Sequence, residues 1–145
     1  MIDKKALILV NMKLENNWRQ KSLEGLEKTY AVFPNDFNSR LVNRVFQLRK
    51  IPLEQFTIED IRLMVGQDEG LEYLVRLAID ELKIDLFAEG DFYPGDLLKN
   101  ILAINPKFWI ENKELWVEID HLINEKIDLI NENDISVESF YNSIK

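Results

Sequence analysis

Apolar positions recur at helical spacing along most of the chain. From residue 37 to 48, Phe37, Leu41, Val42, Val45, Phe46 and Leu48 share one helical side. That helix must end before Pro52, because proline has no amide proton to give to a helix interior. The stretch FTIEDIRLMVGQ opens on a start signal: Thr57 suits an N-cap, Asp60 completes a shortened capping box, and Phe56 with Ile61 forms a hydrophobic staple. Its helix is expected to stop near Gly66. GLEYLVRLAIDELK is apolar round most of its circumference and leaves Glu72, Arg76, Asp80 and Lys83 as a single polar stripe, which predicts a central helix.

The pattern then breaks at FAEGDFYPGDLLKNIL, residues 87 to 102, where Gly90, Pro94 and Gly95 interrupt it and Glu89, Asp91 and Asp96 gather round the interruption. Pro94 suits the first turn of a new helix whose apolar face is Leu97, Leu98, Ile101 and Leu102. Asp91 is placed to accept hydrogen bonds from the freed amides of that helix, and Asp96 to sit near the positive end of its dipole. Two adjacent aromatics, Phe92 and Tyr93, cannot both turn inward easily, and Tyr93, with its polar tip, is the one expected to face a partner.

NPKFW marks another start, with Asn105 as cap and Pro106 at the first helical position. Leu115, Trp116, Ile119, Leu122, Ile123, Ile127 and Ile130 then trace one face of a long helix, and Ser136 caps a last short one. No segment alternates convincingly as a strand. Residues 2 to 12, rich in isoleucine and valine, fit either a helix or an edge strand. The expectation is an all-α fold: a single domain over residues 1–145, an irregular bundle of about six to eight helices.

Composition narrows the function. A chain of 145 residues can bury roughly 70% of the surface its unfolded form exposes, so no staple is needed. It contains no cysteine, which excludes disulfides and thiolate metal sites and suits the cytoplasm. The apolar run at Ala6–Val10 is too short to span a bilayer, and Asn11 and Lys13 follow where a cleavage site would need small residues, so neither signal peptide nor anchor is expected. The net charge of −8 opposes binding to nucleic acid or to an anionic membrane and favours a basic protein partner.

Candidate chemistry is sparse. His121 is the only histidine and lacks the partner that a two-histidine zinc motif requires, so neither a metal nor a cofactor is expected. GQDEG has neither the lysine nor the glycine spacing of a phosphate-binding loop. Arg40, Arg44, Arg49 and Lys50 form a basic cluster that reads as a solvated helix face. Glu89 and Asp96 would suit acid/base catalysis only if one were desolvated and the other kept ionised.

One stretch carries more than composition. LRKIPLEQFTIEDIRLMVGQDEGLEYLVRLAIDELKIDLFAEGDFYPGDLL, residues 48 to 98, resembles the immunity proteins of bacterial contact-dependent growth inhibition systems. The likeness rests on Leu48–Leu53, Gly66–Gln67, Gly70–Leu74 and the eleven-residue run Ala88–Leu98, and extends more loosely from about Leu23 to Trp109. It departs at KIDLF, where the family often has Asn-Pro, so the central helix has no proline to end it. The first twenty residues and the C-terminal helix carry no such motif.

The resemblance implies a helical cytoplasmic antitoxin that binds and blocks the C-terminal toxin domain of a delivered effector and catalyses nothing. Toxins of this kind are often nucleases, whose grooves are basic, and an acidic inhibitor complements them. The expected contacts are Glu89, Asp91, Tyr93 and Asp96, with Asp68, Glu69 and Glu72 as a second acidic group across the preceding turn. The free protein is expected to be a monomer or weak dimer. The rival readings are a helical adaptor without a toxin and a small carboxylate enzyme built on Glu89 and Asp96.

Overall fold

Local capping chemistry decides where most helices begin. The computed structural model describes residue 14 and residues 16–30 and 39–144, and the question of a helix or strand at residues 2 to 12 falls outside them, as does Phe37. The chain divides into two compact units, Met1–Phe56 and Thr57–Lys145. Among the described residues there are nine α-helices, two short 3-10 turns and no strand, so the all-α expectation holds.

In the first unit, helices α1 (Leu23–Glu27) and α2 (Arg40–Leu48) each start on a serine. Ser22 Oγ accepts the Gly25 amide at 3.2 Å and Ser39 Oγ the Val42 amide at 3.3 Å. The 3-10 turns Trp18–Gln20 and Leu53–Gln55 pack together, and Trp18, Leu23, Leu48 and Leu53 are buried. The basic cluster divides by role. Arg40 and Arg44 lie on the exposed face, whereas Arg49 pairs with Glu27 at 2.9 Å and Lys50 with the buried Glu24 at 2.8 Å, which ties the end of α2 to α1.

The second unit is built round a three-helix contact. Helix α3 (Ile58–Gly66) begins with the capping box expected at Thr57: its hydroxyl accepts the Asp60 amide at 3.1 Å and the Asp60 carboxylate accepts the Thr57 amide at 3.0 Å. Helix α4 (Leu71–Ile84) packs on α3, and α5 (Asp96–Leu102) packs on both. Their buried faces interlock through Ile61, Met64 and Val65, then Leu74, Val75, Ala78, Ile79 and Leu82, then Leu97, Leu98, Ile101 and Leu102. A side chain at Gly66 would stand 3.0 Å from Asn100 Nδ2, so glycine there lets α3 approach α5 closely. Asn100 uses that proximity to donate to the Arg62 carbonyl at 3.0 Å.

Helix α6 (Pro106–Glu111) starts as expected, with Asn105 Oδ1 accepting the Phe108 amide at 2.9 Å. The expected long C-terminal helix is instead two helices, α7 (Lys113–Asn124) and α8 (Ile127–Glu132). Asn124, Glu125 and Lys126 at the break are all exposed, and the Lys126 amide closes the turn on Ile123 O at 3.0 Å. The break lets Ile123, Ile130 and Ile135 all bury. Helix α9 (Glu138–Asn142) follows; Ser136 Oγ accepts the Glu138 amide at 3.3 Å, although Val137 occupies the cap position. Phe140 of α9 stacks on Trp116 at 5.0 Å and meets Trp109 edge-on at 5.1 Å, while its carbonyl accepts the Trp116 indole N–H at 3.1 Å. No helix among the described residues is long and apolar enough to cross a membrane.

Candidate functional site: the loop between α4 and α5

Helix α4 ends where Asp85 turns into extended backbone. Its carboxylate accepts the Phe87 amide at 2.9 Å and its carbonyl the Ala88 amide at 3.0 Å, so this aspartate closes the helix without the proline common in the resembling sequences. Leu86 and Ala88 are buried and seat the near side of the loop. The Gly95 amide donates back to Phe87 O at 3.1 Å, and Glu89 pairs with Pro94 in an isolated antiparallel bridge. Residues 89 to 94 therefore project as a narrow, closed tip. Gly95 turns the chain into α5 at φ +93°, which an L side chain resists.

Pro94 thus belongs to the bridge and not to the first helical turn, which begins at Asp96. The capping roles expected of the two aspartates are also redistributed. Gly95 is the N-cap of α5 and no side chain caps it. The Asp91 carboxylate is exposed, and its backbone amide donates to Glu59 Oε2 at 3.0 Å. Asp96 is 3% exposed and turns backwards: one oxygen accepts the Gly90 amide at 2.7 Å and the other the Phe92 amide at 3.1 Å. A loop of this length leaves amides pointing inward, and a buried carboxylate satisfies two of them at once.

Two residues that sequence reasoning did not select complete the arrangement. Glu59 and Arg62, in the first half of α3, form a close ion pair, and Arg62 Nε also lies 3.9 Å from Asp96 Oδ2. The Arg62 guanidinium lies over the ring of Phe92, with Cζ 4.5 Å from the ring centroid. Hydrogen bonding to Glu59 raises the Arg62 pKa against the opposing effect of burial, with the charges of Glu59, Asp96 and Asp91 adding to the rise. The one signal available beforehand was the i,i+3 spacing of Glu59 and Arg62, which also occurs on ordinary solvated helices.

What remains outward is mixed in character. Phe92 is 68% exposed and Tyr93 42%, so both aromatics are presented and Phe92 more fully than the expected Tyr93. Lys99 Nζ lies 5.8 Å from the Tyr93 ring centroid. Glu89 and Asp91 precede the pair on the same tip as exposed carboxylates. Of the seven residues singled out from the sequence, Glu89, Asp91 and Tyr93 thus share this tip, and Asp96 lies beneath it with both oxygens engaged.

Asp68, Glu69 and Glu72 stand elsewhere, at the far end of α3. Glu59 and Gly66 are seven residues apart on that helix, about 10 Å at 1.5 Å per residue, and the second acidic group follows Gly66. Asp68 adopts a left-handed backbone at φ +56° that aspartate tolerates, and is exposed; Glu69 and Glu72 are half-buried. No group of three or more His, Cys, Asp or Glu side chains suited to a metal ion occurs among the described residues.

Comparison with known proteins adds one finding. No curated protein and no solved structure matches the chain. The family model of CDI immunity proteins, however, matches residues 26–119, more than half of the 145 residues, and the matched stretch includes α3, α4, the loop tip and the anchoring pair Glu59 and Arg62. The chain therefore belongs to the family of CDI immunity proteins.

Proposed function

We propose that the protein neutralises the C-terminal toxin domain of a contact-dependent growth inhibition effector by binding it, with no bond made or broken, in the cytoplasm of the protected cell. The toxin is a nuclease in this reading. A groove that holds a phosphate backbone has to be rich in Lys and Arg, and a chain of net charge −8 complements it and is steered toward it.

The observation that carries the contact site is the solvent face of the loop. Two exposed rings, Phe92 and Tyr93, share the tip with two exposed carboxylates, Glu89 and Asp91. Aromatic residues supply most of the binding energy in interfaces of standard size, and carboxylates at the rim add complementarity to a basic partner. Asp68, Glu69 and Glu72 extend the acidic surface at the far end of α3. Asp96 acts from inside, by holding the loop. The free protein is a monomer or weak dimer and binds neither nucleic acid nor membrane.

Co-expression with the toxin domain encoded beside the gene tests the reading directly. Protected growth and co-purification are the expected results; unprotected cells containing folded protein would refute it. Within a confirmed complex, Tyr93→Ala should weaken binding by about tenfold or more, as truncation of an interface anchor does, and Asp91→Asn should weaken it less, by slowing association and reducing its salt dependence, as loss of a rim charge does. Unchanged affinity in both would remove the loop from the contact surface.

A further inference from the structure

The two exposed rings and two carboxylates of the loop would offer a partner little if the loop sampled many shapes, because ordering a flexible segment on binding opposes association. The interior of the loop bears on this. Three of its successive backbone amides, at Gly90, Asp91 and Phe92, all donate to carboxylates that Arg62 neutralises: the first and third to Asp96, the second to Glu59. Phe92, whose amide is the third of these anchors, rests its ring on the same guanidinium. Remove that positive charge and two carboxylates are left facing each other beneath the loop. A Cβ at Gly90 would already stand 3.1 Å from Asp96 Oδ2, 3.1 Å from Glu59 Oε2 and 3.3 Å from Arg62 Cδ, so the cluster fills the space under the tip.

Resting on the reading of this loop as the toxin contact, we infer that Arg62 is a positioning residue that holds the loop in its binding-competent shape before the toxin arrives, without being a principal contact itself. It is half-buried, with its side chain 17% exposed, and its fork faces Glu59, Asp96 and the underside of the Phe92 ring, not solvent. Planarity matters as well as charge: lysine keeps the charge but cannot bridge Glu59 through two nitrogens while lying flat under a ring.

This assignment has a kinetic signature. A residue that touches the toxin stabilises the complex, so its loss chiefly raises the dissociation rate. A residue that sets the population of competent loops scales the apparent association rate by that population and leaves dissociation nearly unchanged. The experiment uses the full chain against a catalytically inactive form of the toxin domain encoded beside its gene, with rates read by surface plasmon resonance. For Arg62→Gln the association rate should fall about tenfold or more while dissociation changes less than about twofold. Arg62→Lys should recover part of the loss. Gly90→Ala, which crowds the same cluster from the loop side, should show the same asymmetry and provides a second variant if Arg62→Gln fails to fold. Phe92→Ala and Tyr93→Ala should show the opposite one, with faster dissociation. In the free protein, exchange of the Gly90 and Phe92 amides should quicken in Arg62→Gln.

If Tyr93→Ala and Phe92→Ala slow nothing and loosen nothing, the loop is not the contact, and both readings fall. If those variants weaken binding while folded Arg62→Gln associates at the wild-type rate, or if its loss appears in dissociation, the positioning role alone is overturned.

Discussion

Replacing Asp96 tests how much of the second unit depends on one carboxylate. In Asp96→Ala the Gly90 and Phe92 amides lose their acceptor, Arg62 loses its second anion, and α5 loses a negative charge in its first turn. A hydrogen bond to a charged group contributes about 1.5–3 kcal/mol where it is buried. The Gly90 bond, at 2.7 Å, falls in that range, but Phe92 is exposed, so water replaces much of the second bond. The Arg62 contact at 3.9 Å adds little beyond what Glu59 retains, and the helix-dipole contribution is about 0.3–1 kcal/mol. The sum is about 3 kcal/mol. With a urea m-value of about 1.5 kcal/mol/M, the unfolding midpoint should fall by about 2 M.

The isosteric variant sharpens this. The carboxamide of Asp96→Asn offers one acceptor oxygen and turns an N–H group toward the other donor, so more than half of the loss should remain even though the volume is unchanged. Equilibrium urea titration followed by tryptophan fluorescence and far-UV circular dichroism measures both. A midpoint within about 0.5 M of wild type for Asp96→Ala would refute the view that the carboxylate holds the loop. A near-wild-type Asp96→Asn would show that shape, and not two charged hydrogen bonds, is what matters there.

Three further outcomes are expected. Gly95→Ala should cost about 2 kcal/mol or more, since φ +93° is unfavourable for an L residue and the new methyl would sit 3.0 Å from Ile135 Cδ1; a thermal melt should show a drop of about 6 °C or more, and an unchanged melting temperature would contradict the strained turn. Gly25→Ala should do the reverse, because it lies within α1 with Ser22 Oγ 3.5 Å away as its nearest neighbour, and should gain up to about 1 kcal/mol in the same assay. Tyr141 should ionise late: burial, with a hydrogen bond and the charge from Asp120, pushes its phenol up to about 12, so ultraviolet titration should show a late-ionising fraction that Tyr141→Phe abolishes. The folded state then keeps a proton that the unfolded chain has released, so this contribution is complete below pH 10 and is lost as pH rises from there to about 12.

Much of the helical order was legible because its causes are local. Thr57 with Asp60, and Asn105 with Pro106, act within one turn of their own sequence neighbours, and the apolar faces of α4 and α5 announce themselves by spacing. The break between α7 and α8 was not legible for the opposite reason. Ile123, Ile127 and Ile130 keep helical spacing across it, neither glycine nor proline marks it, and the burial of Ile123, Ile130 and Ile135 on either side of it belongs to the assembled fold. The loop divides in the same way. Its wording pointed to a family and to exposed acid and aromatic groups, yet the partner of the Asp91 amide lies 32 residues earlier on another helix. No neighbour rule reaches across that distance. Asp96 does stand in the first turn of α5, near the positive end of its dipole as expected, but its carboxylate faces the loop amides of Gly90 and Phe92, which no pattern within its own helix announces.

On the proposed reading of the loop as the toxin contact, the arrangement separates two demands placed on it. Discrimination among toxins requires side chains that are free to differ, and Glu89, Asp91 and Tyr93 satisfy this because they are exposed, whereas the Phe92 ring is tied to Arg62. Rapid capture requires a backbone that is already ordered, and that order comes from Asp96, Glu59 and Arg62 below the surface, which can stay the same whatever the tip displays. An ion cluster of this kind adds little net stability compared with a well-packed apolar one. It does, however, fix the directions of three successive amides, which an apolar contact cannot do. On this account, changes at the tip should alter which toxin is bound with small effects on melting, and changes in the buried cluster should weaken the binding of every toxin the scaffold is made to recognise. A set of tip variants selected against different toxins, each then combined with Arg62→Gln, separates these: a loss of similar size in all of them is expected, and losses that depend on the tip sequence would show that the two layers are not independent.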